Sequence, residues 1–172
     1  RRCKSTVARS RLRRILLFGS ALRRAIAAVH DAGFVHRDIC PRNYILRPDG
    51  RLVLIDFGLT VPDKPAFLQP GNRVGTPNYM APEVVRRRQA DKRLDIFSFG
   101  ILLFELLTGK TPFRGEHEAA AMYSILNEEP DSLLKYRPAL SADLDRIVRR
   151  ALEKDPADRF QSAADMVSEL RR

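Results

Sequence analysis

Cysteine is scarce in this chain: Cys3 and Cys40 are the two it has. They are too few for a disulfide framework or a thiolate zinc set, so a reducing, cytoplasmic setting is the expectation. No apolar run is long enough to span a bilayer. The longest, from Ile96 to Leu107, is broken by Ser98 and Glu105 and falls short of the roughly 20 residues a spanning helix needs. The basic start of the chain is not followed by the apolar core and small-residue cleavage site of a secretory signal. Internal repeats, low-complexity tracts and interdomain linkers are also missing. The chain therefore reads as one domain, large enough for a real core.

The composition that remains is ordinary for a globular protein, with 44% hydrophobic and 30% charged residues among 172. Net charge is +10 and the isoelectric point is near 10.3. Such a balance raises nucleic acid or an anionic membrane as partners. The arginines are spread over helical stretches, however: Arg11, Arg13, Arg14, Arg23 and Arg24 early, Arg86 to Arg88 midway, Arg149 and Arg150 late. That spread reads as solvated helix faces, and no nucleic-acid partner is expected.

Apolar residues at helical spacing (Leu12, Ile15, Leu16, Leu22, Ile26, Val29) predict a helix over 11–30, stopped at Gly33. Phe34-Val35 reads as a short strand. Tyr44 to Leu46 and Leu52 to Ile55 read as a hairpin turning at Pro48-Asp49-Gly50. Residues 59–75, with three prolines and two glycines, read as a long loop. Asp95 to Thr108 is apolar nearly all round and predicts a buried central helix ended by Gly109. Helices are expected near 116–127, 141–152 and 162–170, the last capped by Ser162 with Asp165 three residues on.

The chemistry concentrates between residues 36 and 58. Asp38 and Asn43 stand at the two ends of one loop, and Asp56 stands at the end of the next strand. Oxygen donors of this kind suit a hard cation such as Mg2+, which takes one or two carboxylates plus substrate phosphates. A remaining carboxylate can orient a hydroxyl. Such a set fits phosphoryl transfer, where positioning and charge neutralisation dominate. Asp or Asn alone in a loop reads as turn chemistry; their joint spacing does not.

His36-Arg37-Asp38-Ile39-Cys40-Pro41-Arg42-Asn43 followed by Asp56-Phe57-Gly58 resembles the H-R-D-L-x-x-x-N and D-F-G of eukaryotic-type protein kinases. Gly75-Thr76-Pro77-Asn78-Tyr79-Met80-Ala81-Pro82-Glu83 resembles the run that closes the activation segment of serine/threonine kinases. The resemblance implies an α+β, mostly helical fold: a kinase large lobe with short hairpins around a catalytic loop at 36–43 and an activation segment at 56–83. Residues 1–172 then form a partial kinase domain. No glycine-rich phosphate loop, β3 lysine or partner glutamate stands before residue 11.

The resemblance further implies transfer of the ATP γ-phosphate to serine or threonine hydroxyls of protein substrates. Asp38 would orient the hydroxyl, and Thr76 would hydrogen-bond Asp38. Asn43 and Asp56 would carry Mg2+ against the ATP phosphates, and Ile45 would lie under the adenine. His36, Phe57 and Asp95 would form a supporting spine. Glu83 would pair with Arg159.

Two departures bear on activity. Serine/threonine kinases usually carry lysine two residues after the catalytic Asp, and here that position is Cys40. Arg42 resembles the arginine that many tyrosine kinases use instead; it either replaces the lysine's charge or is a surface arginine. Residues 61–75 contain no Ser, Thr or Tyr, so activation-loop phosphorylation of the usual kind is not expected beside Arg37. The alternative to an enzyme is a catalytically inactive, kinase-like scaffold or binding module. A small-molecule kinase is disfavoured by the run from Gly75 to Glu83 and by the Asp95 helix.

Overall fold

The computed structural model describes residues 19, 21–22, 24–71 and 73–169. Helix α1 is described over 24–31 and buries Ile26; of the expected apolar stripe, Leu12, Ile15 and Leu16 lie outside the described residues. Gly33 stops the helix with a left-handed φ of 82°, a conformation that costs glycine little. Strand β1 (Phe34–Val35) follows, then a loop ending in a 3-10 turn at Pro41–Asn43. Strands β2 (Tyr44–Leu46) and β3 (Leu52–Leu54) form the expected antiparallel hairpin, with Tyr44 opposite Leu54 and Leu46 opposite Leu52. The second strand stops one residue earlier than its sequence pattern suggests.

The stretch 59–75 is less featureless than its prolines imply. Strand β4 (Val61–Pro62) pairs antiparallel with β1, setting Val35 opposite Val61. A 3-10 turn follows at Pro65–Phe67. Pro62 lies at the edge of this two-stranded ribbon, where the missing N–H does least harm. Two short helices also go beyond the sequence reading: α2 (Pro82–Val85), with proline at its first position, and α5 (Leu133–Tyr136), capped by Ser132.

The molecule is built around α3 (Arg93–Thr108), which begins two residues before the expected start. Twelve of its residues are buried, from Leu94 through Leu107. Each large apolar side chain removed from water contributes about 1.5–3 kcal/mol, so this helix supplies the centre of the core. Gly109, at φ 76°, closes it and donates its N–H to the Glu105 carbonyl at 2.7 Å. Helix α4 spans Glu118–Asn127 and α6 spans Ala142–Ala151. α6 lies close against α3 because residue 100 is glycine: a Cβ there would sit 3.0 Å from both Ala151 and Leu152.

Helix α6 is capped by the Ser141 hydroxyl, which accepts from Leu144 N–H. Asp143 and Asp145 stand in its first turn, Arg149 and Arg150 in its last. Both placements complement the helix dipole. Helix α7 (Ala163–Glu169) is tied back by Glu169, which accepts from Arg146 and Arg150 at 2.9 and 2.8 Å. Ser162 Oγ accepts from Asp165 N–H at 3.0 Å at its start. The whole is α+β and mostly helical, with two small two-stranded ribbons.

Candidate active site

The loop at 36–43 is fastened to α3 through one side chain. Asp95, fully buried in the first turn of α3, accepts from the backbone N–H groups of His36 and Arg37, both at 2.9 Å. His30 Nε2, at the end of α1, reaches the same carboxylate at 2.9 Å. These bonds hold Arg37 at φ 71°, left-handed backbone that a non-glycine residue adopts at some cost. The kink turns the chain so that Asp38 faces the segment approaching from residues 75 and 76. His36 packs edge-on against Phe57 with ring centres 5.1 Å apart.

Asp38 is 5% exposed, and its two oxygens are divided between two partners' sides. Oδ1 accepts from Thr76 N–H at 2.8 Å and from the Thr76 hydroxyl at 2.6 Å. Oδ2 accepts from Asn43 Nδ2 at 2.8 Å and from Arg42 Nη2 at 3.2 Å. Burial pushes this carboxyl up, but the hydrogen bonds from Thr76, Asn43 and Arg42 outweigh it and leave its pKa below the usual carboxylate range. Asp38 is therefore ionised at neutral pH.

Thr76 reaches Asp38 only because residue 75 is glycine. Gly75 has φ 107°, and a Cβ there would lie 2.5 Å from the Arg37 carbonyl oxygen. Beyond Thr76, the Tyr79 carbonyl accepts from Ser98 Oγ at 2.6 Å, and the Tyr79 hydroxyl donates to Glu105 at 2.5 Å. Both partners are on α3. Further on, Glu83 and Arg159 form a bidentate pair at 2.8 and 2.7 Å, the expected pairing, with Arg159 fully buried.

Asn43 is 3% exposed and spends its amide protons on Asp38, on Oδ2 and on the backbone carbonyl, both at 2.8 Å. Its Oδ1 takes no hydrogen bond among the described residues. Asp56 is exposed, sits at φ 62° and accepts from Gly58 N–H at 3.3 Å. Ile45 is 50% exposed on the hairpin beside them. Cys40 is buried at 1% exposure, and its sulfur lies 3.4 Å from Thr76 Oγ1. Arg42, whose side chain is 66% exposed, reaches Asp38 from the solvent side.

Of the expected site residues, the structure thus brings Asp38, Arg42, Asn43 and Thr76 into one hydrogen-bonded group. Asp56 and Ile45 stand outside that group as exposed neighbours along the chain. Among the described residues no cluster of three His, Cys, Asp or Glu side chains is poised to hold a metal. Sequence reasoning missed His30 and Ser98 as anchors. A histidine at the end of a helix just before Gly33 was the only available signal for the first; Ser98, a polar residue inside an apolar helix, was the signal for the second.

A buried central helix, an ionised aspartate in a loop fastened to it, and a glycine-threonine segment lying over that loop define a kinase-type large lobe. A family model for the protein kinase domain matches residues 5–169, and the chain belongs to that family. Among curated relatives, the probable serine/threonine-protein kinase PknB of Corynebacterium glutamicum is 38% identical over 155 residues, covering 86% of this chain and 24% of that protein. The probable serine/threonine-protein kinase SCO3848 of Streptomyces coelicolor is 39% identical over 145 residues, 83% of this chain and 22% of its own length. Serine/threonine-protein kinase PknB of Mycobacterium tuberculosis is 36% identical over 148 residues, 82% and 23% respectively. The chain spans about a quarter of the length of these relatives. No helix among the described residues is long and apolar enough to cross a membrane.

Proposed function

We propose that this chain is the large-lobe part of a serine/threonine protein kinase, with residues 36–43 as catalytic loop and 56–83 as activation segment. Its reaction is transfer of the ATP γ-phosphate to serine or threonine hydroxyls of protein substrates. The observation that carries the reading is the division of the Asp38 carboxylate: Thr76 holds one oxygen, and Asn43 and Arg42 hold the other. A carboxylate so fixed, and kept ionised, can orient a substrate hydroxyl.

The residues fit Mg-ATP. Asn43 Oδ1 and the exposed Asp56 carboxylate offer oxygen ligands of the type that Mg2+ takes, and these two would hold it. Bound there, the metal would neutralise charge on the phosphates. Ile45 offers an exposed apolar surface for the adenine. Thr76 fixes the rotamer of Asp38, and Asn43 braces the loop from its other end. In the full-length kinase domain, Asp38→Asn is expected to lower phosphate transfer to a serine or threonine peptide by about a hundredfold or more. Transfer at the wild-type rate would overturn the proposal.

The competing reading, a binding module without catalysis, draws on Cys40. Buried and uncharged, it cannot contact a transferring phosphate. Arg42 supplies the nearest positive charge, already 3.2 Å from Asp38. If it stands in for the lysine, Arg42→Ala reduces transfer about tenfold or more, in line with loss of one electrostatic contact to the reacting group. Adding Cys40→Lys to that variant then restores part of the rate. Unchanged transfer in Arg42→Ala would leave Arg42 a surface residue.

A further inference from the structure

The segment that carries Thr76 to Asp38 has no Ser, Thr or Tyr over 61–75. Kinase activation loops are commonly ordered by a phosphate paired with arginine. Here the described fastenings are made by the chain's own groups. The start of the segment is pinned by the pairing of Val61 with Val35 and by Asp63 N–H, which donates to the Gly33 carbonyl at 2.8 Å. The later part is pinned by Arg73 Nε, which donates to the Val85 carbonyl at 3.2 Å. Between these points Leu68 is 5% exposed and packed in the core.

Leu68 is held by a side chain from outside the segment. Gln89 Nε2 donates to the Leu68 carbonyl at 2.9 Å, and the carbonyls of Ala90 at 3.2 Å and Pro65 at 3.5 Å surround the same nitrogen. All three partners are acceptors, so position 89 calls for a donor. Ala90 N–H adds a longer bond to the Leu68 carbonyl at 3.4 Å. Inside the segment, Gln69 Nε2 donates to the Pro65 carbonyl at 3.0 Å. The charges around position 89 favour the opposite kind of side chain. Arg86, Arg88 and Lys154 line one hollow with Gln89, Glu83 and Asp155. Glu83 is locked onto Arg159 by both oxygens, so the surplus there is positive.

We propose, on the kinase reading above, that Gln89 is a positioning residue for phosphate transfer. Its amide clasps Leu68 and does for this segment what a phosphate on an arginine does elsewhere. A segment held at Leu68 delivers Gly75 and Thr76 onto Asp38, and Thr76 sets the Asp38 rotamer. Arg37, Arg87 and Arg88 line a small hollow of about 40 Å3 with Leu68, Val74 and Val84. An anion seated in that hollow is the rival fastening.

The test uses the full-length kinase domain at neutral pH with two substitutions, Gln89→Glu and Gln89→Lys. The first sets an acceptor against three acceptors; the second keeps a donor. Hydrogen exchange over 64–70, read by mass spectrometry, is expected to rise about tenfold in Gln89→Glu, the scale of one lost hydrogen bond that leaves a carbonyl unpaired. The amides of α3 should stay protected. The kcat for a serine or threonine peptide should fall with the clasp while KM for ATP stays unchanged, and Gln89→Lys should keep wild-type values throughout. Charge alone predicts the reverse order, because the cations around position 89 favour a carboxylate. Wild-type exchange in Gln89→Glu, equally fast exchange in both variants, or raised exchange with kcat unchanged each overturns the proposal. So does transfer by the unaltered domain that is lost on phosphatase treatment or raised by added inorganic phosphate. Exchange reads the clasp independently of activity; a wild-type domain that transfers no phosphate would instead sink the kinase reading.

Discussion

Alanine at position 159 is expected to destabilise the fold by about 3–5 kcal/mol, the usual cost of breaking a buried ion pair from one side. Arg159 is fully buried, and its guanidinium does more than pair with Glu83. It donates to the carbonyls of Glu153 at 2.7 Å, Lys154 at 3.2 Å and Arg93 at 3.3 Å, and it lies 4.8 Å from the centre of the Phe97 ring. Removing it strands the Glu83 carboxylate and three carbonyls together. For a domain of this size the loss corresponds to a fall in melting temperature of roughly 6–20 °C. Glu83→Ala should cost a similar amount, because it strands the guanidinium instead. Replacing both with apolar residues of similar volume should recover much of the loss, since no buried charge then stands alone. Thermal melts of the three variants check this, and melting points equal to wild type would contradict it.

Asp95→Asn should have a large effect of a different kind. The substitution preserves shape, but it exchanges one of two acceptor oxygens for an NH2 group. Asp95 now accepts from His36 N–H with one oxygen and from Arg37 N–H with the other. In the variant one of those backbone donors faces another donor, fully buried, at a cost of about 1–3 kcal/mol. Relief comes by moving the loop, because Arg37 at φ 71° is held there by these bonds. Asp38 is the next residue. A displacement of about 1 Å in a positioned group can lower a rate about a hundredfold. In the full-length kinase domain, transfer should therefore fall far more than the melting temperature does. A variant that keeps the wild-type rate would show that Asp95 does not set the position of Asp38.

Much of this was legible in the sequence because side-chain identity and spacing carried it. Apolar residues on all sides of 95–108 marked a buried helix, and twelve buried residues in α3 agree. The hairpin announced itself by its turn at Pro48-Asp49-Gly50. What stayed hidden depends on partners far along the chain. Val61–Pro62 is a strand only because Phe34–Val35 lies beside it. His30 is marked locally only by its place at a helix end before Gly33, and its bond to Asp95 spans 65 residues. The need for glycine at 75 is a matter of 2.5 Å to the Arg37 carbonyl, a distance no pattern encodes. Helices α2 and α5, at four residues each, are too short to show a period. The resemblance to kinases singled out Arg42, but residue order alone did not show whether its guanidinium reaches Asp38.

The clasp of Thr76 on Asp38 closes a stretch of 38 residues, and the bonds of Asp95 to the loop close stretches of 58 and 59. Closing long stretches loses chain entropy before the contacts repay it. Helix α3, by contrast, forms from local bonds, and Asp95 is already in its first turn. Both closures come after the helix, and the site is complete only when the loop is fastened to Asp95 and the segment at 75–76 lies over it. The ionised carboxylate on which the proposed chemistry rests is thus completed at the end of folding, so a chain can bury its core before it has a finished site.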